Sequence, residues 1–126
     1  MKKSERKAEI AAEIAALEAG EPVHVDGPYA NLWEAICDTP EEAANMTLRS
    51  DLMRAIKLRV RGWGLTQKKA AKRLGVTQPR LNALLKGRLS EFSLDALVNL
   101  AVRAGLAVHF DLRLPEESLQ PELEPA

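Results

Sequence analysis

Cysteine, histidine and aromatic residues are nearly missing from this chain of 126 residues. With one cysteine, Cys37, an internal disulfide is excluded and a reducing, cytoplasmic setting is expected. The two histidines, His24 and His109, are separated by most of the chain, and no second His or Cys stands at metal-ligand spacing, so neither a metal nor a cofactor is expected. No apolar run is long enough to span a bilayer. The opening MKKSERK is not followed by the apolar core of a signal peptide, because Glu5, Glu9 and Glu13 interrupt it. There is no internal repeat and no glycine-rich phosphate loop. Cys37 has no evident base beside it, and Asp38, Glu41 and Glu42 gather at a helix start, where acids are expected for capping alone. An enzyme is therefore not expected.

The most informative scarcity is local. Residues 47–90 hold 12 Lys/Arg and a single acid, Asp51, a net charge of +11. Residues 1–46 carry 4 Lys/Arg against 10 Asp/Glu, and residues 91–126 carry 2 against 7, giving −6 and −5. The overall net charge of zero hides a basic block between two acidic flanks. Such a block is an electrostatic footprint for phosphate.

Inside that block lies Leu65–Arg88, LTQKKAAKRLGVTQPRLNALLKGR. Thr66 is placed to cap a helix over Gln67–Leu74, and Gly75 stands where a left-handed residue ends it. Val76 turns the corner and plugs inward. Thr77 caps a second helix, with Pro79 in its first turn and Gly87 at its end. Helix, short glycine-containing turn and helix make a helix-turn-helix pattern. Ala70, Ala71 and Leu74 face inward from the first helix, and the small residues at 70 and 71 let the second cross closely. Leu81 and Leu84, with Leu85 beside them, face inward from the second. Gln78, Pro79, Asn82, Ala83 and Lys86 are left on the outward face, with Arg80 to one side. Asn and Gln pair with adenine edges in the major groove, and Arg and Lys with guanine.

Around this unit the pattern predicts further helices. Residues 4–19 carry a narrow stripe of Ile10, Ile14 and Leu17 with a charged opposite side, and Ser4 is a partial cap. That stripe either packs on its own domain or orders on a partner. Gly20, Pro22, Gly27 and Pro28 form a linker, within which Val23–Val25 reads as a short strand. Asn31–Ile36 reads as one helical turn. Thr39-Pro40-Glu41-Glu42 starts a helix to about Met46, and Thr47 starts, or continues into, a longer one to about Trp63. Leu52, Ile56 and Val60 make its inner stripe, with Leu48 and Met53 beside it, while Arg54, Lys57 and Arg61 make a basic stripe on another face. Ser93 caps a helix through Ala104, with Phe92 and Leu97 placed as a hydrophobic staple. Ala107–Leu114 alternates as a strand, with Val108, Phe110, Leu112 and Leu114 on one side. A lone strand leaves its backbone groups unpaired, so it pairs either with its copy in a second chain, giving a dimer, or with Val23–Val25. The acidic residues 116–126 read as a disordered tail. The expected fold is all-α: a helix-turn-helix domain over residues 31–114 with a C-terminal dimerising strand, preceded by a helical extension over 1–30 and followed by a tail over 115–126.

LTQKKAAKRLGVTQPRLNALLKGR resembles the helix-turn-helix of the Xre/Cro/lambda-repressor superfamily, a five-helix fold. Extended through FSLDALVNLAVRAGLAVHFDLRL, the likeness covers about residues 32–114, and this longer stretch resembles the branch containing the HigA-type antitoxins of bacterial toxin–antitoxin pairs. The resemblance implies a homodimeric repressor that binds a palindromic operator in double-stranded DNA and a HigB/RelE-like toxin. It also implies a phosphate contact at Gln67, the glutamine that opens the first motif helix. From geometry, Gln78, Arg80 and Asn82 are expected to reach base edges, Thr77 to bond a phosphate or a base, and Lys68, Lys86 and Arg88 to add phosphate contacts. Ala83 departs from the longer polar residue many relatives carry, and offers only an apolar contact such as to a thymine methyl. Ile10, Ile14 and Leu17 are the expected partner-binding residues, and Val108, Phe110 and Leu112 the dimerising ones. An acidic N-terminal segment suits a basic toxin, again as the resemblance implies. The alternative is a solitary Xre-family regulator with no toxin partner.

Overall fold

The computed structural model describes residues 3–21, 29–112 and 114. Six α-helices and one 3-10 turn follow in order: α1 (Lys3–Glu18), α2 (Tyr29–Ile36), α3 (Pro40–Trp63), α4 (Gln67–Leu74), α5 (Gln78–Leu85), the turn Leu89–Glu91, and α6 (Leu94–Arg103). The cap residues behave as their chemistry requires. The hydroxyls of Thr39, Thr66, Thr77 and Ser93 accept from the backbone N–H of Glu42, Lys69, Arg80 and Ala96, each three residues on. α1 begins at Lys3, so Ser4 lies within it rather than at its cap.

The organising element is α3, a single helix of 24 residues. No break occurs near Met46. Thr47 Oγ1 donates to the carbonyl of Ala43 at 2.8 Å, an i−4 back-bond that spends the hydroxyl inside the helix instead of at a cap. At about 1.5 Å per residue, α3 is a rod about 36 Å long. It packs against α1, α2, α5, α6 and the 3-10 turn. Because neighbours surround it, burial extends beyond the expected inner stripe of Leu52, Ile56 and Val60. Ala43 and Leu58 are buried as well, and Met53 is more deeply buried than Leu52.

One core joins α3 to the helix-turn-helix and α6. It is built from Met53, Ile56, Val60, Ala70, Ala71, Leu74, Leu81, Ala83, Leu84, Phe92, Leu97, Leu100, Ala101 and Ala104. Phe92 and Leu97, the staple pair, are both fully buried. Long-range side chains fasten the layers. Trp33 Nε1 donates to Ser50 Oγ at 3.0 Å and ties α2 to α3. Arg59 Nε donates to the carbonyl of Ala104 at 2.8 Å and ties α3 to the end of α6.

The strand expected over Ala107–Leu114 is a correction: no strand occurs among the described residues, and 106–112 is irregular. A strand exists only by pairing, and no described segment of the chain offers an edge. Val23–Val25, the intramolecular alternative, lies outside the described residues, as does the tail 115–126. The expected common face also divides. Val108 packs against the core, whereas Phe110, Leu112 and Leu114 are exposed.

Candidate nucleic-acid interface

The two helices of the central motif are set by a tight turn. Gly75 adopts φ +81°, and its N–H donates to the carbonyls of Ala71 and Lys72 at 2.9 and 3.2 Å. Val76 N donates to Ala71 O at 3.0 Å, completing a C-terminal cap of the Schellman kind. The buried methyls of Ala70 and Ala71 meet Leu81 and Leu84 in the shared core. This crossing leaves Gln78 exposed and Asn82 half-buried on α5, with Gln67 and Lys68 exposed at the start of α4. Lys86 and Arg88 are exposed just past α5. Thr77 Oγ1 accepts from Arg80 N at 3.2 Å, which leaves its own hydroxyl proton available to a phosphate.

Two expected surface residues are placed otherwise. Ala83 is 5% exposed and belongs to the core, so its methyl offers no contact to a thymine. The reason is the path of the chain after α5. Arg88 N donates back to Ala83 O at 3.0 Å, and the following turn closes over the side of α5 that a helical wheel assigns to solvent. Arg80 is drawn to the same wall. Its guanidinium lies 4.1 Å from the centroid of the Phe92 ring, and Nη1 donates to Glu91 O at 2.9 Å. One of its five donors is thereby engaged.

Arg49 supports that wall from α3. Its Nη1 donates to the carbonyls of Leu89 and Phe92 at 3.2 and 3.1 Å, across 40 and 43 residues of sequence. Other cations of the basic block are likewise engaged within the chain, though not buried. Arg73 lies over Trp63 at 4.3 Å, and Arg54 pairs with Glu13 of α1. From outside the block, Arg103 Nη1 donates to Gly75 O at 3.3 Å. The excess charge is therefore divided. Some arginines brace the fold, while Arg61, Lys68, Lys69, Lys72, Lys86 and Arg88 remain on the exposed surface. The Arg88–Glu91 pair, 3.7 Å apart with both side chains about half exposed, restrains Arg88 little.

The basic stripe of α3 joins this surface, a placement that residue spacing alone does not reveal. Arg61 and Gln67 line one small cleft of about 200 Å³, together with Leu65, Leu81 and Leu85. Lys57 Nζ stands 3.8 Å from where a Cβ on Gly87 would lie, beside Lys86 and Arg88. Burial lowers the pKa of Lys57, and the neighbouring charges of Arg61 and Arg54 lower it further.

A sequence profile for the helix-turn-helix domain matches residues 35–113. The chain belongs to this family of helix-turn-helix domains. A search of curated proteins gives no match. The matched span contains α3–α6 and the whole of the surface just described, so this is a DNA-binding helix-turn-helix protein. No helix among the described residues is long and apolar enough to cross a membrane, and no cluster of His, Cys, Asp or Glu among them could hold a metal ion.

The remaining expected sites lie apart from this surface. Ile10, Ile14 and Leu17 are half-buried, and α1 packs on α3 of the same chain. Phe110 and Leu112 are exposed after α6, with Val108 turned to the core.

Proposed function

We propose that this helix-turn-helix protein is a cytoplasmic transcriptional repressor that binds a palindromic operator as a homodimer and serves as the antitoxin of a toxin–antitoxin pair. The observation that carries the DNA part is the pairing of exposed Gln78 with Asn82, one helical turn apart, on the outward side of α5. Gln78 and Asn82 read base edges, whereas Gln67, Lys68, Lys86 and Arg88 hold the backbone and set register. The toxin part draws on the resemblance to HigA-type antitoxins and on the acidic extension ahead of the matched domain. The partner would be a basic, HigB/RelE-like protein. A second reading, a solitary regulator, is favoured by one observation: the apolar stripe of α1 is already spent on α3.

Substitution separates the roles at the DNA surface. Gln78→Ala or Asn82→Ala is expected to relax specificity at particular base pairs, costing about 1–3 kcal/mol for each bidentate contact. Lys68→Ala or Arg88→Ala is expected to weaken all sequences alike and to flatten the salt slope by about 0.9 per lost contact. Competition binding over a set of single-base operator variants reads both effects. A uniform loss from Gln78→Ala, matching that from Arg88→Ala, would refute the division.

The toxin reading has its own test. Ile14→Asp together with Leu17→Asp places carboxylates in the apolar stripe, which is costly wherever that stripe is buried. Operator binding should persist in gel shift while cells lose protection from the toxin encoded beside this protein. Unchanged protection would move the toxin contacts onto the helix-turn-helix domain. The absence of a co-purifying toxin would favour the solitary regulator.

A further inference from the structure

Helix α1 is held against α3 by contacts that the fold of the helix-turn-helix does not require. Glu13 pairs with Arg54. Near the other end of the contact, Gly62 sits in the last turn of α3, where glycine is intrinsically disfavoured. A Cβ there would meet Ile14 Cγ2 at 3.0 Å and Glu18 Oε2 at 3.2 Å. The missing side chain is the notch that receives α1.

What α1 covers is not neutral surface. Arg54, Lys57 and Arg61 recur at helical spacing along one stripe of α3. Lys57 adjoins Gly87 and Arg61 shares a cleft with Gln67, so the stripe runs beside residues that hold the DNA backbone in the reading above. Arg54 lies about one helical turn beyond Lys57 on the same rod. Three cations so placed repel one another and are satisfied by phosphates or carboxylates. On Arg54 that role is taken by Glu13 of α1.

We propose that the α3 stripe is a further phosphate-binding track and that α1 is a built-in competitor for it, withholding Arg54 from DNA while docked. The inference rests on the DNA-binding reading and adds a regulator to it. The Glu13–Arg54 pair has side chains 36% and 37% exposed, a setting in which ion pairs are weak and exchange readily. A phosphate can therefore displace Glu13. Ile14 lies at this seam, and Ile10 and Leu17 are half-buried on the same helix, so a protein that drew α1 away would also uncover Arg54.

The test uses the full-length chain and a short duplex of arbitrary sequence, because backbone contacts carry no sequence information. Affinity is followed from low to physiological salt. Glu13→Gln should bind severalfold tighter than the parent and steepen the salt slope by about 0.9, one added phosphate contact. Glu9→Gln makes the same charge change on an exposed position of α1 and should shift neither quantity comparably. In an Arg54→Ala background the gain from Glu13→Gln should vanish, while Lys57→Ala and Arg61→Ala should each flatten the slope. An unchanged slope in Glu13→Gln, or equal shifts from Glu9→Gln and Glu13→Gln, overturns the competitor. Parental protein that binds no duplex at any salt overturns the DNA-binding reading, and this inference with it.

Discussion

Phe92→Ala is expected to lower the stability of the protein by about 3–5 kcal/mol, the usual cost of emptying a large aromatic site in a packed core. Phe92 is 1% exposed and shares its cluster with Leu97, Leu81 and Ala83. Against a total of about 5–15 kcal/mol for a typical domain, that is a large share. Urea unfolding of Phe92→Ala beside Val102→Ala gives the comparison, because Val102 is exposed and its truncation should stay within about 0.5 kcal/mol. The variant also removes the ring on which the Arg80 guanidinium rests. Specific DNA binding should therefore weaken beyond what the unfolded fraction accounts for. A loss below about 1 kcal/mol would mean that the wall beside α5 contributes little to holding the motif.

The second large effect is on assembly. Phe110 is 57% and Leu112 92% exposed, and no described segment of the chain covers them. Antiparallel pairing of this segment with its copy would bury both and generate the two-fold axis that a palindromic site demands. Phe110→Pro would deprive such a pairing of a backbone donor and an apolar side chain together. The expected result is a monomer in sedimentation with helical circular dichroism retained. Operator affinity should fall by about 10²–10⁴, because the second half-site is no longer held at high effective concentration. A variant that stays dimeric would place the interface on the helices.

What was legible in the sequence was what depends on near neighbours. Thr39, Thr66, Thr77 and Ser93 each cap an N–H three residues away, so their chemistry is written within one helical turn. Gly75 needed only its own backbone angle. Arg49 is the opposite case. Its local partners, Asn45 and Met46, do not distinguish it from a phosphate-binding arginine, and the acceptors that do, Leu89 and Phe92, lie 40 and 43 residues away. Ala83 was misplaced for the same reason. A wheel drawn on eight residues knows one buried side, and the chain closes a second side only after Arg88. The strand at Ala107–Leu114 was read from alternation, but alternation specifies a face and not the neighbour that would pair with it.

Helix α5 and its end are unevenly free to change. Ala83 sits in the core and Arg80 is braced by Phe92 and Glu91, whereas Gln78 and Lys86 are exposed and Asn82 is half-buried. A substitution at 83 disturbs core packing and one at 80 releases the contacts with Phe92 and Glu91, so selection on stability restrains both. Positions 78, 82 and 86 can change with little folding cost. In the reading proposed above, operator preference can therefore drift at 78 and 82, and the hold on the DNA backbone at 86, while the scaffold stays fixed, which allows duplicated copies of such a gene to part in target before they part in fold.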